Sequence, residues 1–186
     1  MDYYGEKIRL RAIEREDLPR YVAWFADAAV SENLSTQLPM GLVHEERWYE
    51  ENLKLPLEQQ ALAADAKIGR GKWEHIGGAG FHFIDKRNRL AECGLFIGPR
   101  KYWHQGYGRD ILRTLLRYGF ETLNLNRVQL RVMEFNARAI QLYEKAGFVR
   151  EGSMREAHFH KGRYWGMLLY SILRREWQAR YGASKE

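Results

Sequence analysis

The feature that most narrows what this chain can fold into is the stretch Trp103-His104-Gln105-Gly106-Tyr107-Gly108-Arg109-Asp110. It follows an alternating segment, Ala91 to Ile97, and the turn Gly98-Pro99-Arg100. It opens an apolar-periodic segment that predicts a helix to about Leu123. A strand, a glycine-bearing turn and a helix N-terminus together make an anion site. The first N–H groups of the helix have no internal partner, and the helix dipole adds about half a positive charge there. Gly106 and Gly108 carry no Cβ, so a bulky phosphate can approach the backbone. Taken alone, the same letters also describe an ordinary loop before a helix, so the rest of the chain has to decide.

The net charge of +6 favours anionic partners: nucleic acid, a phosphorylated cofactor or an acidic surface. No RRM, helix-turn-helix or zinc-finger pattern accompanies it, so nucleic acid is not expected. The glycine turn lacks the third glycine and the βαβ setting of a dinucleotide fingerprint. The one cysteine, Cys93, excludes an internal disulfide and a cysteine-rich zinc site, and its setting among apolar neighbours predicts an inert buried thiol. His75, His82, His158 and His160 have no ligand spacing, so no metal is expected. Residues 1–7 have no apolar leader and no run of about 18 apolar residues occurs, which predicts a cytoplasmic protein without a membrane span. The length of 186 residues suits one domain, 1–186, with a sizeable core.

Ile8 to Ala12 alternates as a half-buried strand. Asp17 is the expected N-cap of a helix to about Ala28, with Pro19 in its first turn. A second helix is expected from His44 to Leu53, stopped by Pro56. The segment from Glu58 to Lys67 reads equally as strand or helix. Strands follow at 75–84 and 91–97, then the helix after the glycine turn, then a strand from Val128 to Val132. Asn136 is the N-cap of a helix from Ala137 to Ala146, and Gly147 is its C′ residue. Two strands, to about Phe159 and from Arg163 to Leu173, and a short helix bearing Trp177 and Tyr181 complete the chain; Ala183 to Glu186 should fray. The order βααβββαβαββ predicts an α/β domain on a mixed sheet.

Three pieces coincide: the strand ending Gly94-Leu95-Phe96-Ile97, the turn Gln105-Gly106-Tyr107-Gly108, and Asn136 followed by Ala139, Tyr143, Gly147 and Phe148. In this order and spacing they resemble the GNAT superfamily of acetyl-CoA-dependent N-acetyltransferases. The most similar branch is the RimJ/RimL type, which acetylates ribosomal-protein N-termini, with polyamine and antibiotic acetylators nearby. The resemblance implies a mixed, mostly antiparallel sheet with two splayed strands, flanked by helices. It implies that the backbone of Gln105, Gly106, Tyr107, Gly108 and Arg109 holds the coenzyme A pyrophosphate. The backbone of Phe96, Ile97 and Gly98 would pair with the pantetheine arm, and Asn136 would hydrogen-bond it. Tyr143 would be the general acid for the leaving thiolate. The amine attacks directly in a ternary complex, so no covalent enzyme intermediate is required.

The sequence departs from the family at three places. Trp103 stands where Arg or Gln is preferred, Ala139 where Ser is common, and Arg131 where some members carry a glutamate base. Glu92 is therefore the candidate base, with a water chain as the alternative. The acceptor amine is read as a protein N-terminus from the branch resemblance; the alternatives are a small-molecule amine such as a polyamine or aminoglycoside, or a non-catalytic acyl-CoA-binding or nucleic-acid-binding module. Glu45, Glu46, Glu50 and Glu51 could meet a cationic acceptor or stand solvated. Tyr21, Trp24, Trp48, Tyr49 and Trp103 could line the acceptor cleft or pack the core. A homodimer is expected by analogy.

Overall fold

The computed structural model describes residues 2–34 and 38–182, which pack as two compact units. The expected fraying of Ala183 to Glu186 lies outside the described residues. The first unit holds residues up to His82 and from Gly94 to Leu115; the second holds Phe83 to Cys93 and everything from Leu116 onward.

In the first unit, strands β1 (Tyr3–Tyr4), β2 (Ile8–Ala12), β3 (Leu62–Gly69) and β4 (Lys72–Asp85, which runs on into the second unit) are hydrogen-bonded in that order, all antiparallel. The end of β5 (Leu90–Ile97) follows beside β4. Helices α1 (Leu18–Phe25), α2 (Ala28–Ser31) and α3 (Leu42–Leu53) lie between β2 and β3 in the chain. The segment 58–67, ambiguous in sequence, becomes strand because Leu62–Ala66 pairs with both β2 and β4. Ile13, Leu18, Tyr21, Tyr49 and Ala63 form a buried cluster there, with Trp24, Phe25 and Phe96 packed against it. Fully burying a side chain such as Leu18 contributes about 1.5–3 kcal/mol.

Asp17 stands at the expected helix start, but its carboxylate does not cap α1. It turns back to accept from the Glu14 N–H at 2.9 Å and pairs with Arg11 at 2.7 Å, because a guanidinium is the stronger partner. The helix expected to reach Ala28 stops at Phe25; Asp27 caps the separate α2 by accepting from Ala29 N–H at 3.0 Å. Asp65, on β3, is buried and accepts from Arg9 at 2.9 Å and Arg11 at 2.8 Å. Burial alone would raise its pKa, yet hydrogen bonds from His75, Arg11 and Arg9 hold it well below the ordinary carboxylate range. Its ionised form therefore stabilises the fold above the acid range, and that support is lost as pH falls.

The second unit is ordered β5-β6-β8-β7, with β6 (Arg127–Met133), β7 (Val149–His160) and β8 (Arg163–Leu173). Only the β5–β6 pair is parallel, and its ladder covers Leu90–Glu92 against Arg127–Gln129. Helix α5 (Ala137–Ala146) is capped at its start by Asn136 and ends on Gly147, whose φ of 97° is left-handed. Helix α6 (Arg174–Tyr181) places Trp177 against Phe120, ring centroids 5.4 Å apart. The helix predicted to Leu123 is α4 (Tyr107–Arg117), followed by a π turn at Tyr118–Thr122. Gly119 weakens the helix there, and Arg174 binds the carbonyls of Phe120 and Leu125. Among the described residues no helix is long and apolar enough to cross a membrane.

The start of α4 is tied to the N-terminal strands by Asp110. Its buried carboxylate accepts from the N–H groups of Glu6 (3.1 Å), Lys7 (2.7 Å) and Ile8 (3.2 Å). A Cβ on Gly5 would lie 2.6 Å from that carboxylate, so the approach requires glycine. Asp110→Ala should destabilise the protein by about 2–4 kcal/mol, since it strands three donors that bond a charged group. Urea unfolding of the two proteins measures the difference, and Asp110→Asn should lose less.

Candidate active site

The glycine turn is built as its sequence suggests. Gly106 has a φ of 86°, which a side chain would strain. The Asp110 N–H donates to the Gly106 carbonyl at 3.1 Å and begins the α4 ladder. The N–H groups of Tyr107, Gly108 and Arg109 stand ahead of that ladder, as an anion site requires. Gln105 and Gly106 are exposed and Gly108 half-buried.

The charges around this turn are not equivalent. Arg100 pairs with Asp27, Lys101 with Glu74 at 2.7 Å, and Arg113 with Glu6 at 2.8 Å. Arg109 is exposed and takes part in none of the ion pairs found among the described residues. Lys7 donates to the Gln105 carbonyl at 3.1 Å and lies 5.6 Å over the Tyr107 ring. With Glu6, Gly106, Asp110 and Arg113, these two cations line a small cavity of about 40 Å³. Lys7 was invisible in the sequence as a site residue, because 98 positions separate it from Gln105.

The end of β5 leads into this turn. The Gly98 N–H donates to the Ile76 carbonyl at 2.9 Å, and the Phe96 carbonyl lies against Gly77, where a Cβ would approach to 2.1 Å. Both groups face β4. Backbone direction alternates along a strand, so the edge turned away from β4 is presented by Leu95 and Ile97. Of the expected pairing positions Phe96, Ile97 and Gly98, Ile97 is the one turned away from β4. Trp103, the departure from the family motif, donates its indole N–H to the Ile97 carbonyl at 2.9 Å. Gly98 itself packs against the Trp24 ring with no room for a Cβ. The Phe96 ring rests on Phe25 (5.3 Å), Tyr21 (5.7 Å) and Trp24 (6.2 Å). Of the candidate cleft aromatics, Tyr21 and Tyr49 are core, while Trp48 is exposed.

The remaining candidates belong to the second unit. Asn136 accepts from the Ala139 N–H at 3.1 Å, which uses its oxygen and leaves the N–H₂ end as what it can offer a ligand. Tyr143 is buried 5.8 Å from Phe148. Burial, with Cys93 close by, pushes its hydroxyl above the ordinary tyrosine value, so it stays protonated and can serve only as a donor or acid. Cys93 is buried and its thiol is pushed up to about 12, mainly by burial and then by Glu92, so it holds no thiolate at neutral pH. Glu92 is half-buried and already ion-paired with Arg131 at 2.8 Å. Among the described residues no group of His, Cys, Asp and Glu is arranged to hold a metal.

The family model of the acetyltransferase (GNAT) domain matches residues 7–149. The uncharacterized N-acetyltransferase p20 of Bacillus licheniformis is 33% identical over 175 residues, covering 94% of this chain and 97% of that protein. Bacillus subtilis YdaF, whose name carries a provisional ribosomal N-acetyltransferase assignment, is 34% identical over 97 residues, 52% of each chain. The crystal structure of spermidine N-acetyltransferase from Vibrio cholerae in complex with CoA and spermine is 25% identical. It superposes with a TM-score of 0.83, covering 93% of this chain and 99% of that one. A match over residues 7–149 takes in the glycine turn, the strand before it and the Asn136-capped helix, and the chain belongs to the GNAT family of acetyl-CoA-dependent N-acetyltransferases.

Proposed function

We propose that this enzyme acetylates a small, multiply charged amine of the polyamine type. The observation that carries the reading is Glu45 on α3. Glu50 pairs with Arg15 and Glu51 pairs with Lys54 at 2.6 Å, so both are neutralised locally. Glu45 is instead buried, and burial raises its carboxyl above the ordinary glutamate value. A bound ammonium would favour the carboxylate and release that penalty. The Vibrio cholerae enzyme, whose structure contains spermine, supports the same class. A protein N-terminal amine, the RimJ/RimL-type target, is the second reading and is favoured by the provisional name of YdaF.

Residue roles follow the family, adjusted to this chain. The N–H groups at Gly106 to Arg109 hold the pyrophosphate, with Arg109 and Lys7 supplying the positive charge. The outward edge of β5 at Ile97 and the N–H₂ of Asn136 hold the pantetheine arm. Tyr143, protonated at neutral pH, gives its proton to the departing thiolate. Glu92 is a poor proton acceptor candidate while Arg131 occupies it. The family model spans residues of both units, which supports one acetyltransferase domain, and we assign it to the cytoplasm as a homodimer.

The deciding experiment is a thiol-release screen with acetyl-CoA against spermidine, spermine, aminoglycosides and peptides with free N-termini. Spermidine or spermine should exceed the peptides at least about tenfold in kcat/KM, and Glu45→Gln should raise the polyamine KM about tenfold with kcat little changed. Preference for a peptide would reverse the acceptor assignment. Separately, Arg109→Ala and Lys7→Ala should each weaken acetyl-CoA binding about tenfold by calorimetry, the loss of one charge-assisted contact. Lys101→Ala, whose charge Glu74 already takes, should bind as the parent does.

A further inference from the structure

We infer that the β7–β8 hairpin is an arm that binds single-stranded RNA, a function beyond acetyl transfer. β7 is the last strand of the sheet, and the hairpin turns at Lys161-Gly162. Both turn residues have positive φ, 49° and 81°, which fits the twist of the two strands and fixes the tip. Phe159 and Tyr164 face each other across the ladder with ring centroids 5.2 Å apart. They are 57% and 63% exposed. Side chains alternate along a strand, so Trp165 lies on the opposite face. There the Arg163 guanidinium lies 3.2 Å over the Trp165 ring. Phe135 braces that indole at 5.0 Å and itself stacks on His160 at 4.8 Å.

One exposed ring on a protein surface needs no explanation. Here two rings are paired in the open on one face, and a guanidinium is held on a braced indole on the other. Each is a ready-made plane for a further flat group. The charge of the arm selects the partner. Arg155, Lys161 and Arg163 are exposed, with Glu156 as the one acid from Arg155 to Trp165. Arg155 and Arg163 take part in none of the ion pairs found among the described residues. An anion with flat, apolar faces fits both features.

Other partners fit less well. Two copies of so basic an arm repel each other. The ladder is also irregular between Met154 and His158, where Glu156 has a φ of 52°, and such a bulge blunts an edge strand against pairing with another. A lipid surface is met apolar side first, yet here the cations stand at the apex and the exposed rings behind them. A duplex keeps its bases stacked inside, so the open rings would find no partner. Unpaired RNA bases stack on Phe, Tyr and Arg planes, and single-stranded loops are the usual place where RNA is recognised. One base rests on the Phe159–Tyr164 pair, its neighbour on the Arg163–Trp165 stack, and Lys161 between them meets the phosphate. Every base has a flat face, so the arm tolerates any sequence. The two exposed rings stand apart in the chain and meet only across the ladder, which is why no RNA-binding signature is visible in the sequence.

The test titrates the full chain into a fluorescein-labelled single-stranded RNA of about 12 nucleotides and follows anisotropy, with neither acetyl-CoA nor amine present. Its outcome is thus independent of the acetyl-transfer reading. The Kd at about 100 mM salt should fall at about 1–100 µM. Three cations on phosphates predict a slope of log K against log salt of about −2. Phe159→Ala and Tyr164→Ala should each weaken binding about tenfold, and Phe159→Tyr should bind as the parent does. Arg163→Gln should flatten the salt slope by about 0.7. Circular dichroism checks that changes at these exposed positions leave the fold intact. No binding of the single strand below about 1 mM, or binding that the Phe159→Ala, Tyr164→Ala double variant retains, overturns the proposal. So does tighter binding to a DNA strand of the same sequence, to a duplex or to phosphatidylserine vesicles, or a dimer that sedimentation shows to dissociate in the double variant. Without any variant, a 4-thiouridine-substituted strand photocrosslinked to the parent should label residues within 155–165, and labelling confined to other segments refutes the arm.

Discussion

Three N–H groups of one N-terminal turn converge on the carboxylate of Asp110, and the ligand-facing end of α4 depends on that bond. A helix N-terminus attracts anions only if it is held where a ligand can reach it. Asp110 lies in the first turn of α4, where a negative charge is favourable to the dipole. The same contact brings Lys7 onto the Gln105 carbonyl. One buried carboxylate thus orients the helix and delivers a cation to the site.

A second buried carboxylate organises the other end of the first unit. Asp65 gathers Arg9, Arg11 and His75, and the hydrogen bonds from these groups outweigh its burial. The arginines hold it ionised. Glu92 and Glu45 show the contrast. Glu92 meets a guanidinium and is occupied; Glu45 meets none in the ion pairs found among the described residues and is raised by burial. Three carboxylates with similar intrinsic chemistry are sorted into anchor, ion pair and candidate substrate contact by their neighbours alone.

The glycine turn, the Asn136 cap and the Gly147 terminus were legible because their causes are local. Positive φ at Gly106 and Gly147, and a side chain reaching three residues along its own helix, need no distant partner. The segment at 58–67 was ambiguous because its apolar spacing suits two structures, and only pairing with β2 and β4 selects strand. The helix after the glycine turn runs to Thr122 as expected, but its last turn is π, and Arg174, about fifty positions away, binds the carbonyls there. On β5 the alternation is readable in sequence, but which residues turn their backbone groups to β4 is not; the Gly98 N–H meets the Ile76 carbonyl only in the fold.

The sequence by itself determined the family and the place of the anion site, since backbone conformation and periodicity are written in neighbouring residues. It could not determine which charges are available. Arg109 and Lys101 look alike in the chain, and only the fold sets Glu74 against one of them. Likewise His75 is one histidine among six until β3 brings Asp65 to its Nδ1 and α1 brings Tyr21 to its ring. Electrostatic roles depend on burial and on partners far along the chain, and these exist only once the tertiary structure has formed.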